Sequence, residues 1–268
     1  MRYSSTDSSE RTARSKGKLA AARWWFYIVV AAISSAQVAT ADKHPPSKQV
    51  SFREPARAYQ RHAQEFDIYV ERSLAASDSK LADAALSKLQ RSLAEVFASL
   101  PKRPRSELAN LRFYLLWGKQ SPAGGYASGM AYFRQGEPRN YPHLDADWNH
   151  VIVIYSADNL MYLDSVWTRK AIMHELAHAW HITHWPEQHP PILQAYQAAK
   201  AAGLYRQVKD RKGKVIAEGY ALSNQLEYFA ELSAMYFVGG NYFPFDRSGI
   251  AKYDPAGARL VRGLWGVE

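Results

Sequence analysis

The run His174-Glu175-Leu176-Ala177-His178 places two imidazoles four residues apart, with a carboxylate beside the first. On a helix the two histidines lie about 40° apart on one face. At that spacing they can share one zinc ion, and Glu175 can take a proton from a water on that ion. A catalytic zinc usually takes three protein ligands and keeps one position for water. The chain has no cysteine, so a third ligand must come from His, Asp or Glu. His184 follows His174 at the spacing of a motif that turns sharply out of the helix at a glycine. His181 occupies that position here. A continuing helix therefore carries His184 about 15 Å away from His174, too far to share an ion.

Glu227 is the better third ligand. In Asn224-Gln225-Leu226-Glu227-Tyr228-Phe229-Ala230-Glu231, a helix turns Asn224, Glu227 and Glu231 to one side and Phe229 and Ala230 to others. An acidic pair one turn apart beside aromatic rings is odd on a solvated face. It makes sense if Glu227 binds the ion and Glu231 holds a ligand imidazole by a hydrogen bond. The plainer reading of Glu231 is a surface carboxylate or a core salt bridge. His181 shares the face of His174 and His178, and a packing role is preferred for it over one in a cleft.

These side chains need a scaffold. A helix capped by Asp164 or Ser165 runs to about His184 and is stopped by Pro186, Pro190 and Pro191. Met173, Leu176, Ala177 and Trp180 give it an apolar face. A second helix covers about 222–237 and ends at Gly239-Gly240. Strands are expected over 111–117 and 150–155, the latter opened by His150. A Gly/Ser loop covers 121–129, and a helix over 191–202 ends at Gly203. A hairpin turns at 211–214, and a last helix opens at Asp254-Pro255. From Phe52 to Leu100 the reading is helical, on the stripe Leu89, Leu93, Val96, Phe97, Leu100, with Pro101 and Pro104 ending the run. No repeat and no second composition regime follows residue 52. The expectation is one α+β domain, 52–268, with a small mixed sheet and a helical N-terminal part, 52–105.

The segment from His174 to Glu231 resembles the catalytic core of zincins of the anthrax lethal factor type, of the gluzincin kind. There, too, the histidine motif is followed by a Tyr, a seven-residue step to a Glu, and a further Glu in an E-[FY]-F-A-E run. Tyr220, Glu227 and Glu231 match that spacing. The segment is also similar to secreted bacterial and fungal metallopeptidases with HELAHAWH-like and EYFAE-like motifs. The resemblance covers roughly residues 140–268 and leaves 42–110 without a counterpart. It implies a zincin-like fold, with zinc on His174, His178 and Glu227, Glu175 as base and Tyr220 as the phenol that stabilises an oxyanion. A hydrogen bond from a phenol suits that charge on physical grounds as well. In zincins the strand before the active helix borders the cleft, which places His150–Tyr155 beside an extended substrate.

Composition bounds the rest. The chain has 268 residues, 47% hydrophobic and 22% charged, which argues against a disordered, collagen-like or multi-span membrane protein. Its net charge is +9. Removing the first 41 residues, with six basic and two acidic side chains, leaves +5, weak grounds for a nucleic-acid partner. The basic run Arg206–Lys214 reads as a solvated turn. Residues 1–41 read as a signal peptide: a basic start, an apolar stretch from Trp24 to Val38, and the small-residue site Ala39-Thr40-Ala41. That stretch is short for a membrane span, which needs roughly 20 residues; an uncleaved anchor is the rival reading. Residues 42–51 form a polar linker. The sequence thus reads as an exported zinc metalloendopeptidase acting on protein or peptide, with no membrane contact beyond the signal segment. Its rivals are a non-catalytic zinc-binding envelope or interaction protein on the same scaffold, and a zinc amidase acting on a non-protein substrate.

Overall fold

Four consecutive branched aliphatic residues, Val151–Ile154, form strand β5, buried at every position. In the computed structural model, which describes residues 58–118, 129–140 and 144–267, β5 lies inside a mixed sheet. The other strands are β1 (Tyr59–Ala63), β2 (Asp67–Glu71), β3 (Arg112–Leu115) and β4 (Met130–Phe133), in the order β1-β2-β3-β5-β4. β2, β3 and β5 run parallel, and β1 and β4 add to the two sides antiparallel. Continuous apolar sequence in β5 follows from this: an inner strand is covered on both faces.

The helical reading of 52–105 is corrected at its start. Residues 59–71 make β1 and β2, because Ile68 and Val70 alternate with Asp67 and Tyr69 at period two. The apolar stripe that suggested a helix lies entirely further on, and Leu89, Leu93, Val96 and Phe97 are buried from it. Helix begins with α1 (Arg72–Ser77) and α2 (Ser79–Ser99), and the Asp78 carboxylate caps α2 by accepting from the Leu81 amide. Pro104 does not stop this run. It sits in the first turn of α3 (Lys102–Leu108), where its missing N–H costs nothing.

Six more helices complete the nine α-helices among the described residues: α4 (Ala157–Tyr162), α5 (Ser165–His184), α6 (Pro190–Ala201), α7 (Gln225–Phe237), α8 (Arg247–Tyr253) and α9 (Pro255–Leu264). A separate hairpin, β6 (Arg206–Lys209) with β7 (Val215–Glu218), turns where the sequence places it. Ile68, Phe113, Ile152 and Ile154 face the helices and join the main core. Tyr114, Phe133, Val151 and Val153 form a second apolar cluster with Trp148. The fold is therefore α+β with a small mixed sheet.

Two helices position the site. Asp164 starts α5 by accepting from the Trp167 amide at 2.8 Å. From Lys170 to His181 every residue of α5 is buried, so this helix runs through the core with no solvent face. It packs against α7, α2 and β4. α7 starts three residues later than the sequence suggests. The Asn224 side chain accepts from the amides of Leu226 and Glu227, and Tyr220–Leu222 forms a short 3₁₀ turn. The expected signal peptide 1–41 and linker 42–51, and nearly all of the expected 121–129 loop, lie outside the described residues. Among the described residues no helix is long and apolar enough to cross a membrane.

Candidate metal centre

Where α5 meets α7, three donor atoms converge. Nε2 of His174 lies 3.0 Å from Nε2 of His178. Oε2 of Glu227 lies 2.9 Å from the first and 3.5 Å from the second. Ligands held at about 2.0–2.1 Å around a tetrahedral ion are themselves about 3.3 Å apart, so the spacing fits a metal. His174, His178 and Glu227 form a buried group that could hold a metal ion. Glu227 is the third residue of α7, where the helix N-terminus favours negative charge. Burial opposes its ionisation, but His178 and His174 override it and hold the carboxyl well below its usual range.

One turn further along α7, Oε1 of Glu231 lies 2.9 Å from Nδ1 of His174. The same oxygen pairs with Nζ of Lys170, one turn before His174 on α5. Both partners are almost wholly buried. Burial again opposes the charge on Glu231, yet Lys170 and the hydrogen bond from His174 bring its carboxyl down to about 2. The buried Tyr242 is hydrogen-bonded to Glu231. Burial first, then the Glu231 carboxylate, push its phenol well above the ordinary value. Gly219 permits this packing, since a Cβ there would come within 2.7 Å of the Tyr242 ring.

Buried charge surrounds the group. Glu175, Glu227 and Glu231 are three buried acidic side chains, and the buried Lys170 pairs with Glu231. Uncompensated buried charge is costly. Burial opposes a charge on His174, but its hydrogen bonds to Glu227 and Glu231 raise its pKa to about 9, so a divalent ion bound here would replace a proton.

Glu175 is held at one oxygen only. Its Oε2 accepts from the backbone amide of Tyr132 on β4 at 2.8 Å. Its Oε1 is buried with no hydrogen-bond partner. Burial is the main influence on this carboxyl and raises its pKa. The Tyr220 ring lies 5.9 Å from the His174 ring, centroid to centroid. Burial, then the charges of Glu227, Glu231 and Glu175, push the Tyr220 phenol above its ordinary range.

Other sequence candidates lie elsewhere. His184 is bound to Glu107 at 2.7 Å and to the Trp180 carbonyl at 2.9 Å, at the far end of α5. His181 is buried against Phe229, with Nε2 3.1 Å from the Pro186 carbonyl. Burial pushes His181 down to about 4, against the pull of that carbonyl. Asn224 caps α7 instead of sharing the face of Glu227 and Glu231. The expected substrate strand is also corrected. β5 is hydrogen-bonded to β3 on one side and β4 on the other, so it has no open edge. Among the described residues the outer strand next to β5 is β4, which carries the Tyr132 amide. His150, with φ at +54°, lies just outside β5, and its Nδ1 is 2.9 Å from the Tyr132 hydroxyl.

Sequence reasoning missed Lys170, Tyr242 and the Tyr132 amide. Lys170 had a signal: it sits one turn before His174 on a helix whose neighbours are apolar. Tyr242 is one of 17 tyrosines and had none. A backbone amide leaves no trace in a motif. Comparison with known protein families, with curated proteins and with solved structures found no match to this chain.

Proposed function

We propose that this chain is an exported zinc metallopeptidase of the zincin type that hydrolyses peptide bonds in proteins or peptides. The observation that carries the proposal is the pairing of a converged His174–His178–Glu227 group with a buried carboxylate, Glu175, whose Oε1 has no partner. Two histidines and a glutamate are a donor set of hydrolytic zinc sites, and they leave a fourth position open. A zinc ion bound there would supply Lewis acidity, making a water more acidic and a carbonyl more electrophilic.

The chain's own residues supply the rest. The Tyr132 amide fixes Oε2 of Glu175, so Oε1 is the atom that takes the proton of the attacking water. Burial favours the protonated carboxyl, which then delivers that proton to the leaving nitrogen. Tyr220 keeps its own proton, because burial and the nearby carboxylates oppose its ionisation. It donates a hydrogen bond to the carbonyl oxygen as charge builds there. Glu231, backed by Lys170, holds His174 at Nδ1 and so aims Nε2 at Glu227. Export rests on residues 1–41, read as a signal peptide.

The test is a casein digest with Glu175→Gln beside the wild type, with zinc measured on both. Cleavage by the wild type, lost in a variant that keeps its zinc, is the expected outcome. An active Glu175→Gln variant would contradict the mechanism.

A further inference from the structure

At the other end of α5 and α7 lies a cleft of about 750 Å³ that the proposed chemistry does not use. That size is within the range of small-ligand sites, roughly 300–1,000 Å³. α3, α8 and α9 close its sides. Trp180, Trp185 and Phe237 line it. Trp265 stacks on Trp180 with ring centroids 5.4 Å apart and makes that wall rigid.

The charged lining is of one sign. Lys102, Arg103 and Arg247 contribute, and none of the described lining residues is acidic. Arg103 is partly neutralised by Glu107 at 2.7 Å. Lys102 and Arg247 are exposed and have no ion pair among the described residues. Arg247 lies over the ring of Tyr236, 4.5 Å from its centroid. The Tyr236 hydroxyl is itself buried without a hydrogen-bond partner.

The geometry points to a binding site for a small amphipathic anion, its apolar body against the rings and its head group between Lys102 and Arg247. A wholly polar anion would leave the aromatic wall uncovered. An amphipathic cation would meet only like charge. The site is independent of the proposed hydrolysis, because neither His174, His178 nor any acidic residue of the metal centre lines it.

The experiment is calorimetric titration of the full chain with decanoate, with decylammonium and with vesicles containing an anionic phospholipid. Saturable binding of one decanoate per chain is expected, with decylammonium at least about tenfold weaker. Lys102→Ala and Arg247→Ala should each weaken decanoate binding roughly twofold to fivefold, the range of exposed charge pairs. Glu175→Gln should bind decanoate as the wild type does. Both lysine and arginine positions are exposed, so these variants leave the core intact. The proposal is overturned by equal affinity for decanoate and decylammonium, or by unchanged binding in a Lys102→Glu/Arg247→Glu variant. No saturable binding, or binding to the vesicles alone, overturns it as well.

Discussion

Asp254 and Glu227 are both buried carboxylates near the start of a helix, 3% and 1% exposed, yet their surroundings differ in kind. Oδ2 of Asp254 accepts from the hydroxyls of Tyr205 at 2.9 Å and Tyr228 at 2.6 Å. Its Oδ1 accepts from the Gly257 amide at 2.8 Å and so caps α9. Donors surround the acid, and the region is closed. Oε2 of Glu227 faces two imidazole nitrogens, those of His174 and His178. Oε1 of Glu175 and Oε1 of Glu227 are left buried without a hydrogen-bond donor. A satisfied polar cluster ties elements together; a converged and unsatisfied one leaves work for a ligand.

The contrast can be broken at either region. The largest expected effect is on turnover. Glu175→Gln should lower peptide hydrolysis by on the order of 10² to 10⁴. A digest followed by mass spectrometry reads it, and wild-type rates in the variant would remove Glu175 from the chemistry. Next comes stability at the closed cluster. Asp254→Ala leaves two buried phenols without an acceptor and should cost about 3 kcal/mol in denaturant unfolding. The metal content of the folded variant should not change. Loss of metal together with that stability would mean that the two clusters are not separate.

A smaller effect is expected one step from the ligands. Lys170→Met or Glu231→Gln should weaken metal binding about 10- to 100-fold, measured by competition with a chelating dye. Unchanged affinity in both would reduce this pair to a core salt bridge. The smallest effect concerns His181. Its pKa is about 4 in the folded chain, against 6.5 for an ordinary histidine. Between those values the unfolded chain binds a proton that the folded chain refuses, so stability falls as pH drops from 6.5 towards 4. His181→Gln should remove up to about 1.4 kcal/mol per pH unit of that slope. An unaltered slope would show that His181 is not held neutral.

The legible parts of the sequence share a property. Each is a local pattern with one period. His174 and His178 are one turn apart, Glu227 and Glu231 are one turn apart, and Val151–Ile154 is a run of branched aliphatic residues. Those spacings give the two helices and the inner strand directly. What was not legible depends on tertiary contact. β1 and β2 are an exception: their period of two is local, and the stripe from Leu89 to Leu100 does not extend back over them. The i, i+3 spacing of Asn224 to Glu227 fits a shared helix face and a cap equally, and the structure has the cap. The Tyr132 amide and the Tyr242 phenol reach the site through β4 and through the chain after α7, and no sequence spacing links them to His174.

The most direct single measurement is the metal content of the purified chain, with wild type, Glu227→Ala and His184→Ala prepared side by side without chelator. The expected result is one zinc per chain in the wild type and in His184→Ala, and little or none in a folded Glu227→Ala. A folded wild type without zinc, or zinc retained in full by Glu227→Ala, would contradict the assignment of His174, His178 and Glu227 as the metal site.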